Sequence, residues 1–193
     1  DLHRSGELLR RDTLAGYTEF LRVSGRPREA LAKADELIAF SQKLCESPSP
    51  PPGAQDFHML GHAHTIKLGI AEALGDWKLA VDACQASVEG FAQAKDEAPG
   101  DAGRLWHWLT ALTKLTELNV AVGDRQAGLG AMPEILSQVG TLAESIQDPV
   151  RIRRYADERL IALVSRLRDN GFVTEATQAA RTLVALRERL AQL

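Results

Sequence analysis

The sequence predicts an all-α fold, an α-solenoid of about four antiparallel helix pairs. Three observations point to it. A glycine is followed five residues later by a very small residue four times over: Gly25/Ala30, Gly75/Ala80, Gly123/Gly128 and Gly171/Ala176. Those glycines lie 50, 48 and 48 residues apart. A fixed period of this length marks units that bury their apolar faces by stacking on one another. Ala and Leu dominate a chain that is 45% hydrophobic but only 5% aromatic, a balance that favours helices over strands. Finally, apolar residues recur at intervals of three and four on both sides of each glycine.

In the first unit, Leu8, Leu9, Leu14, Tyr17 and Leu21 form one helical stripe before Gly25. Pro27 then sits in a first helical turn, where its missing N–H costs nothing. Ala30, Leu31, Ala34, Leu37 and Ile38 continue the stripe to about Cys45. The segment 47–53, SPSPPPG, holds four of the eight prolines and is an extended linker. The second unit runs from about Asp56 to Leu74, turns at Gly75-Asp76, and resumes from Trp77 to about Lys95. Asp101 caps the third unit's first helix, which carries Leu105, Trp108, Leu109, Leu112, Leu115 and Leu118. Its second helix contains Gly128, Gly130 and Pro133, so a kink or a late start is expected near Pro133. Ile135, Leu136, Val139 and Leu142 carry the rest.

Asp148-Pro149 opens the fourth unit as N-cap and first helical residue. Its stripe is Tyr155, Leu160, Leu163, Val164 and Leu167, closed by Asn170-Gly171. A last helix follows from about Val173, with Ala176, Ala180, Leu183, Leu186 and Leu190. The units thus span about 8–46, 56–96, 101–147 and 148–193 of a single repeat domain. Leu183, Leu186, Leu190 and Leu193 face inward on the favoured reading. An outward stripe would make the C-terminal helix a homodimer surface.

A turn glycine followed by a small residue early in the next helix resembles the tetratricopeptide repeat (TPR) family, across roughly the whole chain. The family also favours a large residue in the first helix about seven before the turn glycine and four positions either side, neighbourhoods that here hold Leu14, Thr18 and Leu21; His64, Leu68 and Ala71; Leu112, Thr116 and Asn119; and Leu160, Val164 and Leu167. The unit length departs from the usual ~34 residues, so these are elongated, divergent units. A HEAT or armadillo hairpin, at ~40 to ~47 residues, is nearer in period, but the glycine-to-alanine spacing favours the first likeness. The resemblance implies a right-handed superhelix and a concave groove lined by each unit's first helix. Its groove positions map onto Asp12, Ala15, Glu19 and Arg22; His62, Thr65, Gly69 and Glu72; Thr110, Thr113, Glu117 and Val120; and Glu158, Ile161, Ser165 and Arg168. Those expected to meet a partner are Glu19, His62, Thr65, Glu72, Thr113, Glu117 and Glu158. The Lys/Asn carboxylate clamp of some members is missing. With Glu19, Glu72, Glu117 and Glu158 taken to lie at comparable heights, the groove would prefer a basic or polar segment.

Other chemistry is poorly represented. His58, His62 and His64 cluster, but no nearby acid or thiol completes a metal site, and no cofactor is expected. Trp106-His107-Trp108 reads as a buried ring, an exposed residue and a partly buried ring at a packing seam, and Trp77 as a lid on the first helix. Arg151, Arg153 and Arg154 form a basic run on a solvated face. No nucleophile elbow, phosphate loop or C-x-x-C is present, so the segment reads as non-enzymatic. The net charge of −3 offers nothing to nucleic acid, and no stretch approaches the ~20 apolar residues of a membrane span. Cys45 and Cys84 read as reduced packing residues of a cytoplasmic protein. The opening DLHRSGELLRR, without methionine or signal core, reads as an excised domain of a longer chain. The expected role is a protein- or peptide-binding scaffold, the interaction or sensor module of a regulatory protein. A homo-oligomerisation module and, further off, a small-molecule or metal-binding domain are the alternatives.

Overall fold

The repeat's punctuation is visible in the backbone. A computed structural model describes residues 2–48, 51–145 and 149–192. Gly25, Gly75, Gly123 and Gly171 all take left-handed backbone, with φ of 74°, 71°, 87° and 82°. After each, the next N–H reaches back five residues to a carbonyl: Arg26 to Leu21 and Asp76 to Ala71 at 3.0 Å, Asp124 to Asn119 and Phe172 to Leu167 at 2.9 Å. This is the Schellman closure, which satisfies the orphan carbonyls of a helix end and requires the conformation glycine adopts at least cost. Asp76 and Asp124 then cap the following helices through the backbone N–H of Leu79 and Ala127, both at 3.0 Å.

The chain forms two compact units, Asp1–Ala98 and Pro99–Leu193. The first contains α1 (Leu2–Val23), α2 (Pro27–Cys45), α3 (Ala54–Leu74) and α4 (Trp77–Glu97). Successive helices pack together, and α3 also touches α1. Its core gathers Leu21, Ala30, Ala34, Leu37, Ile38, Ala63, Ile66 and Ile70. The α3–α4 crossing is the closest. A Cβ added to Gly90 would lie 2.7 Å from the Gly61 nitrogen and 2.8 Å from its Cα, so the two helix backbones meet there. Ser87 donates to the Gly61 carbonyl at 3.0 Å and shares a 2.8 Å hydrogen bond with Thr65, tying the same crossing.

The second unit contains α5 (Ala102–Val122), α6 (Arg125–Gly130), α7 (Met132–Ser145), α8 (Pro149–Tyr155), a π-helical turn (Ala156–Leu160), α9 (Ile161–Asp169) and α10 (Val173–Leu190). The expected interruption is the break at Ala131, two residues before Pro133. Asp101 caps α5, accepting from the N–H groups of Gly103 and Arg104 at 2.8 and 3.2 Å. The helix predicted as Asp148-capped begins at Pro149, and Asp148 lies outside the described residues. Val120, Met132, Leu163, Leu167, Ala176 and Ala179 form a core in this unit. Ala179, rather than Ala180, is the fully buried alanine of α10.

The small residues behind the turns are all buried: Ala30, Ala80, Gly128 and Ala176. Gly128 sits against Val120, whose Cγ2 would be 2.8 Å from an added Cβ. Ala80 has no exposed surface at all. Replacing it with phenylalanine is therefore expected to cost about 1–3 kcal/mol by overpacking. Thermal unfolding of the purified chain measures this directly, and an unchanged midpoint would separate Ala80 from the packing.

All described residues outside the turns and linkers are helical, so the all-α helical repeat is the observed fold. Leu183, Leu186 and Leu190 are buried, as the inward reading required, and Leu193 lies outside the described residues. The exposed leucine stripe on which self-association through the last helix would depend is thereby lost. Among the described residues, no helix is long and apolar enough to cross a membrane.

Candidate functional site: a cleft between α1 and α3

A cleft of about 520 Å³ opens between α1 and α3 of the first unit. Ala15, Gly16, Glu19 and Arg22 line it from α1; His62, Thr65, Ile66 and Gly69 line it from α3. Six of these eight positions are groove positions implied by the resemblance; Gly16 and Ile66 are additions. Three of the seven partner-meeting residues, Glu19, His62 and Thr65, are thus brought together. The cleft exists because its floor is small. A Cβ on Gly16 would meet nothing within 4 Å, and one on Gly69 only the Arg22 Cδ at 3.8 Å.

Glu19 and Arg22 are one turn apart on α1 and face each other. The guanidinium donates to the carboxylate from Nε at 2.8 Å and from Nη2 at 2.5 Å. Those hydrogen bonds, more than any other influence, hold the Glu19 carboxyl below the usual range against the opposing effect of partial burial. Arg22 is pushed up by the same contact. His62 keeps an edge open to solvent, yet the protein around it lowers its pKa below 6.5, with Glu19 pulling the other way. The ion pair beside it is internally balanced. The Thr65 hydroxyl donates to the Ser87 oxygen at 2.8 Å and lies 3.1 Å from the Gly61 carbonyl, so it is fixed in the cleft wall.

The remaining groove positions fare differently. Asp12 is exposed and lies 3.3 Å from the buried Arg11. Glu72, one turn beyond Gly69, does not line the cleft. In the second unit Thr113 is fully buried. Its hydroxyl donates to the Leu109 carbonyl at 2.8 Å and bonds the Tyr155 hydroxyl at 2.7 Å. Burial raises the Tyr155 phenol well above its ordinary value. Thr113 and Thr65 stand ten residues before their turn glycines, yet one lines open space and the other is capped by a ring. Glu117 is half-buried, and Glu158 is exposed and paired with Arg154 at 3.2 Å. The four acids do not share one offset from their turn glycines. Glu19 and Glu117 stand six residues before their glycines, Glu72 three and Glu158 thirteen. With Glu19 and Glu158 each matched by an arginine on its own helix, the expected acidic ladder is offset from within.

The histidines separate. His58 is tilted against Phe91 at 5.2 Å, His62 edges the cleft, and His64 is half-buried. Among the described residues no three His, Cys, Asp or Glu side chains are placed to hold a metal. Trp108, not Trp106, is the buried ring, while Trp106 and His107 are both half-buried and meet edge to face at 4.5 Å. The helical phase that buries Leu105, Leu109 and Leu112 includes position 108, which explains the exchange. Trp77 opens α4 and stays 51% exposed, too open for a lid. Arg153 and Arg154 are exposed; the Arg151 side chain lies outside the described set. Neither Cys45 nor Cys84 is in a disulfide, and burial pushes Cys45 up to about 11.

Two of these groups make stability depend on pH. Burial holds His62 and His64 below 6.5; Lys67 adds to this at His64, opposed by Glu89 and Asp35. Between those lowered values and 6.5 the unfolded chain binds more protons than the folded one, so stability rises with pH in that window. It is fully present above 6.5 and lost as pH falls through the folded values. The melting temperature at about pH 5 is expected below that at about pH 7.5, with a smaller drop in the His62→Gln, His64→Gln double variant. An equal drop in both proteins would reject the assignment.

No family model and no curated protein matches the chain. Among solved structures, a chain described as "DHF119 filament" is similar at 16% identity with a TM-score of 0.48, over 97% of this chain and 95% of that one. A likeness of that extent carries no functional argument.

Proposed function

We propose that the chain is a binding scaffold whose first unit holds a segment of another polypeptide in the α1–α3 cleft. The observation that carries the reading is the cleft itself: an open space between two first helices of successive pairs, floored by glycine and alanine and walled by fixed polar groups. Pockets with a small apolar floor and a few convergent polar groups are the usual place for a ligand. The TPR-like arrangement of glycine turns supports the same reading, as the resemblance implies binding on first-helix faces. The second unit offers no equivalent opening at Thr113, so recognition falls to the first. Cys45 and Cys84, neither of them in a disulfide, accord with an intracellular setting.

The test is selection of short peptides from a random displayed library on the immobilised full chain. A Cβ at Gly16 meets nothing within 4 Å, and leucine is the better helix former, so Gly16→Leu is expected to add bulk to the cleft while keeping the melting temperature. Enriched peptides are expected to bind the wild type and not Gly16→Leu. Failure to enrich any sequence, or peptides indifferent to Gly16→Leu, would remove the cleft as the binding surface.

A further inference from the structure

We infer that the α1–α3 cleft takes an uncharged, extended segment, gripped through main-chain amides and Asn or Gln side chains, and neither a basic nor an acidic one; this rests on the binding role proposed above. The argument is one of charge and hydrogen-bond matching. The charged groups lining the cleft are Glu19 and Arg22, and each is the other's partner through two hydrogen bonds. A lysine entering the cleft would have to compete with Arg22 for Glu19, and a carboxylate would have to compete with Glu19 for Arg22. Either guest strands one charge of the resident pair at a partly desolvated wall, a cost that a neutral guest avoids.

An amide does not force that choice. The guanidinium has five N–H donors and spends two on Glu19, leaving others for a carbonyl. The carboxylate oxygens have further lone pairs for an incoming N–H. The Thr65 oxygen, held by Gly61 and Ser87, can accept as well. A peptide bond offers one donor and one acceptor, which is the pattern this wall presents. The missing side chains at Gly16 and Gly69 give the space for a main chain to come close.

The test uses three peptides of about six residues, enough to run along the cleft in extended form: Gly/Ala/Gln throughout, and the same peptide with lysines or with glutamates in place of the glutamines. Each is titrated into the isotope-labelled full chain while the Gly16, Thr65 and Gly69 amide resonances are followed. The neutral peptide is expected to bind about tenfold more tightly than either charged one, with little dependence on salt. Glu19→Gln should shift the preference toward the glutamate peptide and Arg22→Gln toward the lysine peptide. A wild-type preference for lysine or glutamate that weakens with salt overturns the inference and leaves the cleft a binding site. If no peptide moves these resonances, the binding role falls and this inference with it.

Discussion

Replacing Gly90 by alanine is expected to destabilise the first unit by about 1–3 kcal/mol, and by more with valine. The new Cβ would sit 2.7 Å from the nitrogen and 2.8 Å from the Cα of Gly61, with the Phe57 carbonyl oxygen at 3.3 Å. These are backbone atoms, so no rotamer change relieves the clash, and the helices must separate along a tightly packed crossing. The gain in helix propensity from glycine to alanine, up to ~1 kcal/mol, works in the opposite direction and is too small to reverse the sign. Gly61→Ala makes a useful comparison. The three atoms nearest its Cβ all belong to the Phe91 ring, at 2.9 to 3.1 Å, a side chain and not backbone, so its cost should be lower. Gly140→Ala, with nothing within 4 Å, should be neutral or stabilising. Denaturant unfolding of the three variants checks the order. Equal stability of Gly90→Ala and Gly140→Ala would mean that the α3–α4 approach is looser than described.

The second unit has its own dependence. Leu163 is fully buried in the cluster with Leu167, Val120, Ala176 and Ala179. Leu163→Ala is expected to cost about 2–5 kcal/mol, the lost transfer energy plus the cavity left behind. On a unit of this size that corresponds to a fall of roughly 10 °C or more in its melting temperature. Val184→Ala on α10, where the valine is exposed, should stay within about 0.5 kcal/mol. Calorimetry distinguishes the two variants, and a small effect at Leu163 would show that its surroundings collapse to fill the gap.

The parts of this fold that were legible in the sequence are those written locally. Left-handed backbone at Gly25, Gly75, Gly123 and Gly171 follows from glycine's freedom, and the buried small residue behind each follows from the tight turn. The break before Pro133 and the cap at Asp101 are equally local. What escaped depends on two helices at once. Gly61 and Gly90 are ordinary mid-helix glycines until each is seen against the other, 29 residues away. A glycine in each helix of a pair, on apolar stripes, was the available signal. The cleft shows the same limit. Counting back from the turn glycine named Glu19, His62 and Thr65, which line one cleft, but gave no sign that Tyr155 closes the space over Thr113. Nor could spacing show that Arg22 neutralises Glu19.

The π-helical turn at Ala156–Leu160 bears on how this chain tolerates changes of length. Leu105 and Trp108 lie 18 and 15 residues before Gly123, and both are buried. Their counterparts Ile152 and Tyr155 are also buried but lie 19 and 16 residues before Gly171. The fourth unit's first helix therefore carries one residue more than the third's over the same stretch, and the wide turn absorbs it. Upstream and downstream faces keep their phase, while Glu158, inside the bulge, is turned out to solvent. Offsets counted from Gly171 across this point are one residue longer than those counted from Gly123. Deleting Glu158 would convert the bulge to regular α-helix with Ile152 and Tyr155 still facing inward. A one-residue deletion in the middle of α5, which has no such slack, would swing Leu105 and Trp108 about 100° out of the core. Surplus length is thus stored in one helix of this chain as a single extra residue that the buried faces on either side do not register.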